Sequence, residues 1–364
     1  MPKHSLRVTQ KKIKEIIKKL ERLSVHRLTF DEFRVYALYR LIELVHKESA
    51  VHYDELLYRF CEVGPGNRRF DPLAVEILLS SPFVREYLNK YAEIERKDHW
   101  FLAKQAKGNT LNFRIKEKVL ANILEGAKTE KLFKFLKDDL VAVFQECGYE
   151  VISCLEDKDK TYIEFKLKSK EFNDGLLLRF YNTNAWVYPD SWQIWDLSYK
   201  ANLDKSIPVL IAPKVHGACF PLFKAIGMFA RASYYLFIDK SLEEIKSEVL
   251  DQTEKDFCQL GRFSFGKVDS LPSKYRDERF ASVKHLLIEI IPNYCDSFMI
   301  KRNRAVGKVN RLSDNFKDSS NFVIEPEERI QKIKELLGLK LGHLKSVGDM
   351  IKRNELIFLN TTKS

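Results

Sequence analysis

Residues 81–104 read SPFVREYLNKYAEIERKDHWFLAK, a helical stretch that gives way to strict alternation. Ser81-Pro82 is a helix-start signal, a capping hydroxyl followed by proline in the first turn, and predicts a helix over Pro82–Lys90. From Tyr91 onward two short strands are predicted, Tyr91–Arg96 and His99–Lys104, about a turn at Lys97-Asp98, with Ile94, Trp100 and Leu102 as apolar anchors. Working outward, Asp71-Pro72 repeats the start signal after the turn Gly64-Pro65-Gly66-Asn67 and predicts a short helix over Pro72–Ser80. Asp31–Lys47 places Phe33, Tyr36, Ala37, Leu41, Leu44 and Val45 at helical spacing, and Asp54–Cys61 buries Leu56, Leu57 and Phe60. Before these, Thr9–Leu23 is amphipathic, with Ile13, Ile16, Ile17, Leu20 and Leu23 on one stripe among lysines.

Helices followed by a polar hairpin, across about seventy residues from Phe33 to Lys104, resemble the winged-helix family in element order, without a diagnostic motif. In that family the helix before the hairpin enters the major groove, and the hairpin wing and flanking cations touch phosphate. The resemblance implies nucleic-acid contact through Arg85 and Lys90 on the helix, Arg96 and Lys97 in the wing, and Arg68 and Arg69 in the preceding loop. The same fold also serves protein contacts, so the alternative is an interaction or scaffold subunit of a larger complex.

Bulk properties agree with a basic, folded protein. The 364 residues are 45% hydrophobic, 12% aromatic and 31% charged, a composition that argues against disorder, and 14 Gly and 11 Pro leave little room for low-complexity linkers. Lys and Arg outnumber Asp and Glu by 62 to 51, giving +11, and the pI is about 9.1. A phosphate backbone is the commonest partner for such an excess, because neutralising it releases condensed counterions; DNA is favoured over RNA. A mildly basic enzyme is the bland alternative. The six cysteines form no C-x-x-C pair, which suits reduced thiols rather than a disulfide framework or zinc site. The start MPKHSLRVTQKK lacks the apolar core of a signal peptide, and no apolar run is long enough to cross a bilayer, so a soluble intracellular protein without membrane contact is expected. No Walker loop, nucleophile elbow or metal-spaced Cys/His cluster names a reaction.

The middle of the chain alternates helices and strands. A helix over Thr129–Cys147 stops at Gly148. Strands follow at Tyr149–Leu155, Thr161–Lys168 and Gly175–Tyr181. Ile207–Ala212 and Tyr234–Ile238 are apolar strands flanking a helix from Gly217 to Arg231 that Pro221 interrupts, the pattern of a βαβ crossover. This order resembles the restriction-endonuclease-like core. That resemblance implies a Glu-x-Lys strand motif whose carboxylate holds Mg²⁺ while the lysine orients the attacking water. Glu164-Phe165-Lys166 fits the motif, since alternation puts both charges on one strand face. Asp157 is the candidate partner, but a turn at Lys158-Asp159 sets Glu164 opposite Ser153 and leaves Asp157 near the turn. The catalytic candidates are therefore Glu164, Lys166 and Asp157, with Glu164 on the metal. An ordinary half-buried strand is the competing reading.

Three further features carry candidate chemistry. Pro213-Lys214-Val215-His216-Gly217 lies at the carboxyl end of an apolar strand, where Lys214 and His216 are candidates for an anion. Trp186, Tyr188, Trp192, Trp195 and Tyr199 are candidates for base stacking or core packing. Lys301, Arg302, Arg304, Lys308 and Arg311, with no acid among Ile300–Leu312, suit a nucleic-acid backbone. This run falls between helices predicted at Arg279–Ile291 and Glu327–Leu337. The fold class expected is mixed α/β. It comprises a winged-helix-like module over 1–105, a central α/β domain with a mixed sheet over 106–241, and a basic, mostly helical region over 242–364. The function expected is DNA binding, with Mg²⁺-dependent endonuclease activity if the central domain is active.

Overall fold

The computed structural model describes residues 30–63, 82–104, 110–169, 175–249, 267–270 and 276–316, with isolated positions 72, 75, 79 and 171. Arg68, Arg69, the helices expected over Thr9–Leu23 and Glu327–Leu337, and most of Pro72–Ser80 lie outside the described residues. The described chain is mixed α/β, with a central mixed sheet and a long C-terminal helix, and it divides into two compact units.

The first unit opens with α1 (Phe30–Glu48), which buries Ala37, Leu38, Leu41 and Val45 at helical spacing. Ser49, in the left-handed region at φ 63, ends it and leads into β1 (Ala50–His52). His52 then caps α2 (Tyr53–Leu57): its Nδ1 accepts from the Asp54 amide at 3.1 Å. After α3 (Pro82–Tyr91) come β2 (Ile94–Lys97) and β3 (Trp100–Ala103). The sheet is antiparallel in the order β1-β3-β2. β1 was not expected, being too short to show a period. It makes β3 the central strand, on which the neighbours Trp100 and Phe101 are both buried, so Phe101 rather than Leu102 is its second anchor. Helix α4 (Thr110–Gly126) follows.

In the second unit, α5 (Glu130–Glu146) starts where Thr129 Oγ1 accepts from the Leu132 amide at 3.3 Å. It packs six apolar side chains on the sheet. The strands are β4 (Tyr149–Glu156), β5 (Tyr162–Ser169), β6 (Leu176–Tyr181), β8 (Ile207–Ala212) and β10 (Phe229–Ala232), in the order β10-β8-β6-β5-β4. β4, β5 and β6 are antiparallel; β6, β8 and β10 are parallel. The short β7 (Trp186–Val187) pairs with β9 (Lys214–Val215) beyond the carboxyl ends of β6 and β8. α6 (Trp192–Leu203) connects β6 to β8, and α7 (Cys219–Ile226) connects β8 to β10.

The βαβ expectation is corrected in its second strand. The partner of β8 is β10, and β11 (Tyr235–Ile238) pairs instead with β12 (Lys267–Ser270) after α8 (Leu242–Val249). Gly227 decides this: at φ 68 it stops α7 five residues before the expected end at Arg231. Pro221 interrupts nothing, because it lies in the first turn of α7, where no helical donor is required. Beyond α9 (Arg276–Arg279) and α10 (Ala281–His285), a widened turn at Leu286–Ile290 leads into α11 (Ile291–Phe316). The basic run is thus inside a helix, not between helices. Pro292 reads as a helix stop but sits in the first turn of α11, just past the widened turn. Two apolar clusters sandwich the sheet: α5 and the start of α11 cover one face, while α6, α7 and the rest of α11 cover the other. Among the described residues no helix is long and apolar enough to cross a membrane.

Candidate functional site

On α3, Val84 and Leu88 point inward, and Arg85, Glu86, Asn89 and Lys90 are exposed. Arg85 and Asn89, one helical turn apart, line a concavity of about 670 Å³ with Glu95, Arg96, Asp98 and Lys104 of the hairpin. Two of its cations are committed locally. Arg96 donates from Nη1 to the Leu79 carbonyl at 3.0 Å and lies over the Phe101 ring at 5.5 Å. Lys104 Nζ donates to the Asn89 carbonyl at 3.2 Å and to Asn89 Oδ1. Lys97 is exposed beside the turn residue Asp98, itself left-handed at φ 51. Signs are balanced here: exposed Arg85, Lys90, Lys97 and Lys104 stand against exposed Glu86, Glu93, Glu95 and Asp98. A buried network braces the unit. Lys116 Nζ donates to the Ala50 carbonyl and to Glu55 Oε2, both at 3.0 Å, and Arg59 Nη2 reaches Glu55 Oε1 at 3.0 Å.

The basic run lies within a single helix. On α11, Lys301, Arg304, Lys308 and Arg311 follow one another at three, four and three residues. They therefore fall within an arc of about 80° and span about 15 Å of helix. Arg304, Lys308 and Arg311 are exposed; Lys301 is half-buried with Nζ 5.2 Å from the Phe298 ring centroid. Arg302 is not part of this ridge. It turns inward, is 7% exposed, and donates from Nη1 to the Ser206 carbonyl and from Nη2 to Asn303 Oδ1 at 3.0 Å. No acidic residue lies between Asp296 and Asp314.

The sheet holds a third charged site. Glu164 pairs across β5–β6 with Arg179, and across β4–β5 with Leu155 rather than Ser153. The hairpin turn is centred one residue later than expected, with Lys160 left-handed at φ 51. Arg179 is fully buried. Its Nε donates to Glu164 Oε2 at 2.5 Å, Nη2 lies 2.7 Å from Asp196 Oδ2 of α6, and Nη1 donates to the Tyr181 hydroxyl at 3.3 Å. Its guanidinium covers the Tyr162 ring at 4.5 Å. Burial opposes its charge, but Tyr181, Glu164 and Asp196 outweigh that and hold its pKa above the ordinary value. Burial likewise raises the Tyr181 phenol. Lys200 approaches Asp196 at 3.6 Å and Glu164 at 3.9 Å. Lys166 turns instead to Asp204 at 3.4 Å, and Asp157 is engaged in the hairpin turn, accepting from Thr161 Oγ1 at 2.5 Å. The expected set of Glu164, Lys166 and Asp157 is not gathered around a common point. Among the described residues no cluster of three or more His, Cys, Asp or Glu is arranged to hold a metal ion. These residues do not fit Mg²⁺, because the Glu164 carboxylate is already held by a fixed guanidinium.

At the carboxyl ends of β6 and β8, Lys214 is buried with Nζ 2.9 Å from Asn184 Oδ1 and 6.0 Å from the Trp186 ring centroid. His216 is buried too, and its Nδ1 accepts from the Ala218 amide at 3.2 Å, capping the entry to α7. The helix-end amides are used within the turn: Cys219 and Phe220 donate to the carbonyls of His216 and Gly217. Trp195 is a core residue donating from Nε1 to the Pro189 carbonyl at 3.1 Å, and Trp192 stands exposed. A charged residue of this site missed in sequence was Arg179. Its signal was an arginine inside the otherwise apolar run LLLRFY.

No protein-family model matches the chain, and no curated protein matches it. Among solved structures, one similar chain is the Acinetobacter baumannii Cap4 SAVED/CARF-domain containing receptor with the cyclic trinucleotide 3'3'3'-cAAA. It is 17% identical at a TM-score of 0.18, and the match covers 55% of this chain and 44% of that one. The chain thus spans less than half the length of that receptor.

Proposed function

We propose that this chain is a nucleic-acid-binding protein, with DNA its favoured partner, that grips phosphodiester through the α11 ridge. One observation carries the reading: four cations on one helical face, across a segment without a single acid. A strip of one sign, anchored to a packed sheet, can neutralise consecutive phosphates and release their counterions. The order of α1 to β3, with strands arranged β1-β3-β2 and a helix before the hairpin, supports a winged-helix reading of the first unit as a second contact. The second reading, an interaction subunit, is favoured by the balanced charges of the α3–hairpin face, which suit a protein surface better than a polyanion.

Fluorescence anisotropy with labelled duplex and single-stranded DNA from 50 to about 300 mM salt tests this. About four phosphate contacts give a slope of log K against log salt near −3.6 on duplex. The variant Arg304→Gln/Lys308→Gln/Arg311→Gln flattens the slope by about 2.7 and weakens binding alike on all sequences. An unchanged slope in that variant removes the ridge, and absence of salt-sensitive binding in the native protein removes nucleic acid as partner.

A further inference from the structure

We propose that Arg179 is the resident cation of the central sheet, holding the position between Glu164 and Asp196 that a divalent metal ion would need. The proposal rests on the reading of this domain as a relative of the endonuclease-like core, and it makes that core metal-free.

Three elements build the arrangement. β5 supplies Glu164, β6 supplies Arg179 directly across from it, and α6 supplies Asp196 from above the same face. Both carboxylates converge on one guanidinium, at 2.5 Å and 2.7 Å. Arg179 is 0% exposed, so solvent screens the attraction less than it would at the surface. A guanidinium keeps its charge at every pH a protein survives, and this one is held more firmly charged than usual. Lys200 supplies the second positive charge against the second carboxylate. Two cations and two anions close the local account, and a doubly charged ion would find nothing left to neutralise. Coordination fails as well. Mg²⁺ requires about six oxygens at roughly 2.1 Å in octahedral order, whereas the Glu164 oxygen facing the site already accepts an N–H. Lys166, the lysine of the strand motif, is drawn away to Asp204.

The same geometry says what happens when the arginine goes. Arg179→Ser leaves two carboxylates facing a vacated side-chain volume with only Lys200 between them, which is a cation site in waiting. Thermal unfolding and electron paramagnetic resonance titration of the full-length protein, each in EDTA and in Mn²⁺, separate the cases. The native protein is expected to take up no Mn²⁺ at this site and to shift its Tm by less than about 1 °C. Arg179→Ser is expected to unfold earlier and to regain about 3–6 °C at ten times its Kd for Mn²⁺. Arg179→Ser/Glu164→Gln should lose that recovery. Saturable Mn²⁺ uptake by the native protein that Glu164→Gln abolishes overturns the proposal, as does an Arg179→Ser protein indifferent to Mn²⁺. Should Arg179→Ser fail to fold in EDTA, its refolding from urea with and without Mn²⁺ gives the same reading, and the native titration stands by itself. DNA affinity does not enter these measurements, so the ridge and the arginine can fail separately.

Discussion

Replacing Gly227 by alanine combines backbone strain with steric exclusion, and the structure supplies one control with the strain alone and one with neither. Gly227 ends α7 at φ 68, where a Cβ costs about 1–2 kcal/mol. The added methyl would also meet α11. It would lie 2.5 Å from the Arg302 amide nitrogen and 2.8 Å from Arg302 Cβ, with the Phe298 carbonyl oxygen closer still. Two of these atoms are helix backbone and cannot rotate aside, so α11 must be pushed from the sheet, an overpacking cost of about 1–3 kcal/mol. The sum is about 2–5 kcal/mol, or a fall in Tm of about 4–20 °C for a unit of this size. Gly148→Ala shares the strain, with φ 83, but meets no atom within 4 Å, and should cost only the first part. Gly307→Ala, inside α11 and also without a neighbour within 4 Å, should instead stabilise by about 0.5–1 kcal/mol. Urea and thermal unfolding of the three variants give the comparison. If Gly227→Ala costs no more than Gly148→Ala, the close approach of α7 to α11 is refuted.

Two further outcomes follow from charged groups. Glu146 and Asp277 both bond Lys284 Nζ at 2.7 Å, and that hydrogen bond holds both carboxyls below their ordinary values of 4.5 and 3.8. A depressed carboxyl contributes stability above its unfolded pKa and loses it as pH falls through its folded one. The contribution is therefore present at neutral pH and disappears in acid below about pH 4.5. Lys284→Ala should raise the Glu146 midpoint seen by carboxyl-carbon NMR, and an unmoved midpoint discards the attribution. In the first unit, Lys116→Met leaves Glu55, 3% exposed, with Arg59 alone. It should cost about 3–5 kcal/mol, read as faster amide exchange in β1 and β3; adding Glu55→Gln should return part of the loss, and a variant as stable as the parent would show the network to be idle.

Local signals made much of this architecture legible. Thr129 and Gly148 bracket α5, and the alternation of Ile163, Phe165 and Leu167 fixes which face of β5 is buried. Long-range consequences were not legible. The run after Gly227 continues at helical spacing, and only the handedness of that glycine turns it into β10. Pro292 masked the continuity of α11, so the basic run was placed between two helices although its spacing already set four cations on one face. The Glu164-Phe165-Lys166 motif pointed to a metal because chemistry of that kind needs a carboxylate near a lysine. The group that answers Glu164 lies fifteen residues away on the next strand, and no spacing rule joins it to Asp196.

Helix α11 touches both layers of the second unit. Cys295 and Phe298 belong to one apolar cluster and Ala305, Val309 and Leu312 to the other, while Phe298 stacks on Phe229 of the edge strand β10 at 4.1 Å. It works as a clasp around the rim of the sheet. A mechanical pull delivered to its outer surface is shared by both layers instead of peeling one helix away, so the hold outlasts any single packed contact beneath it.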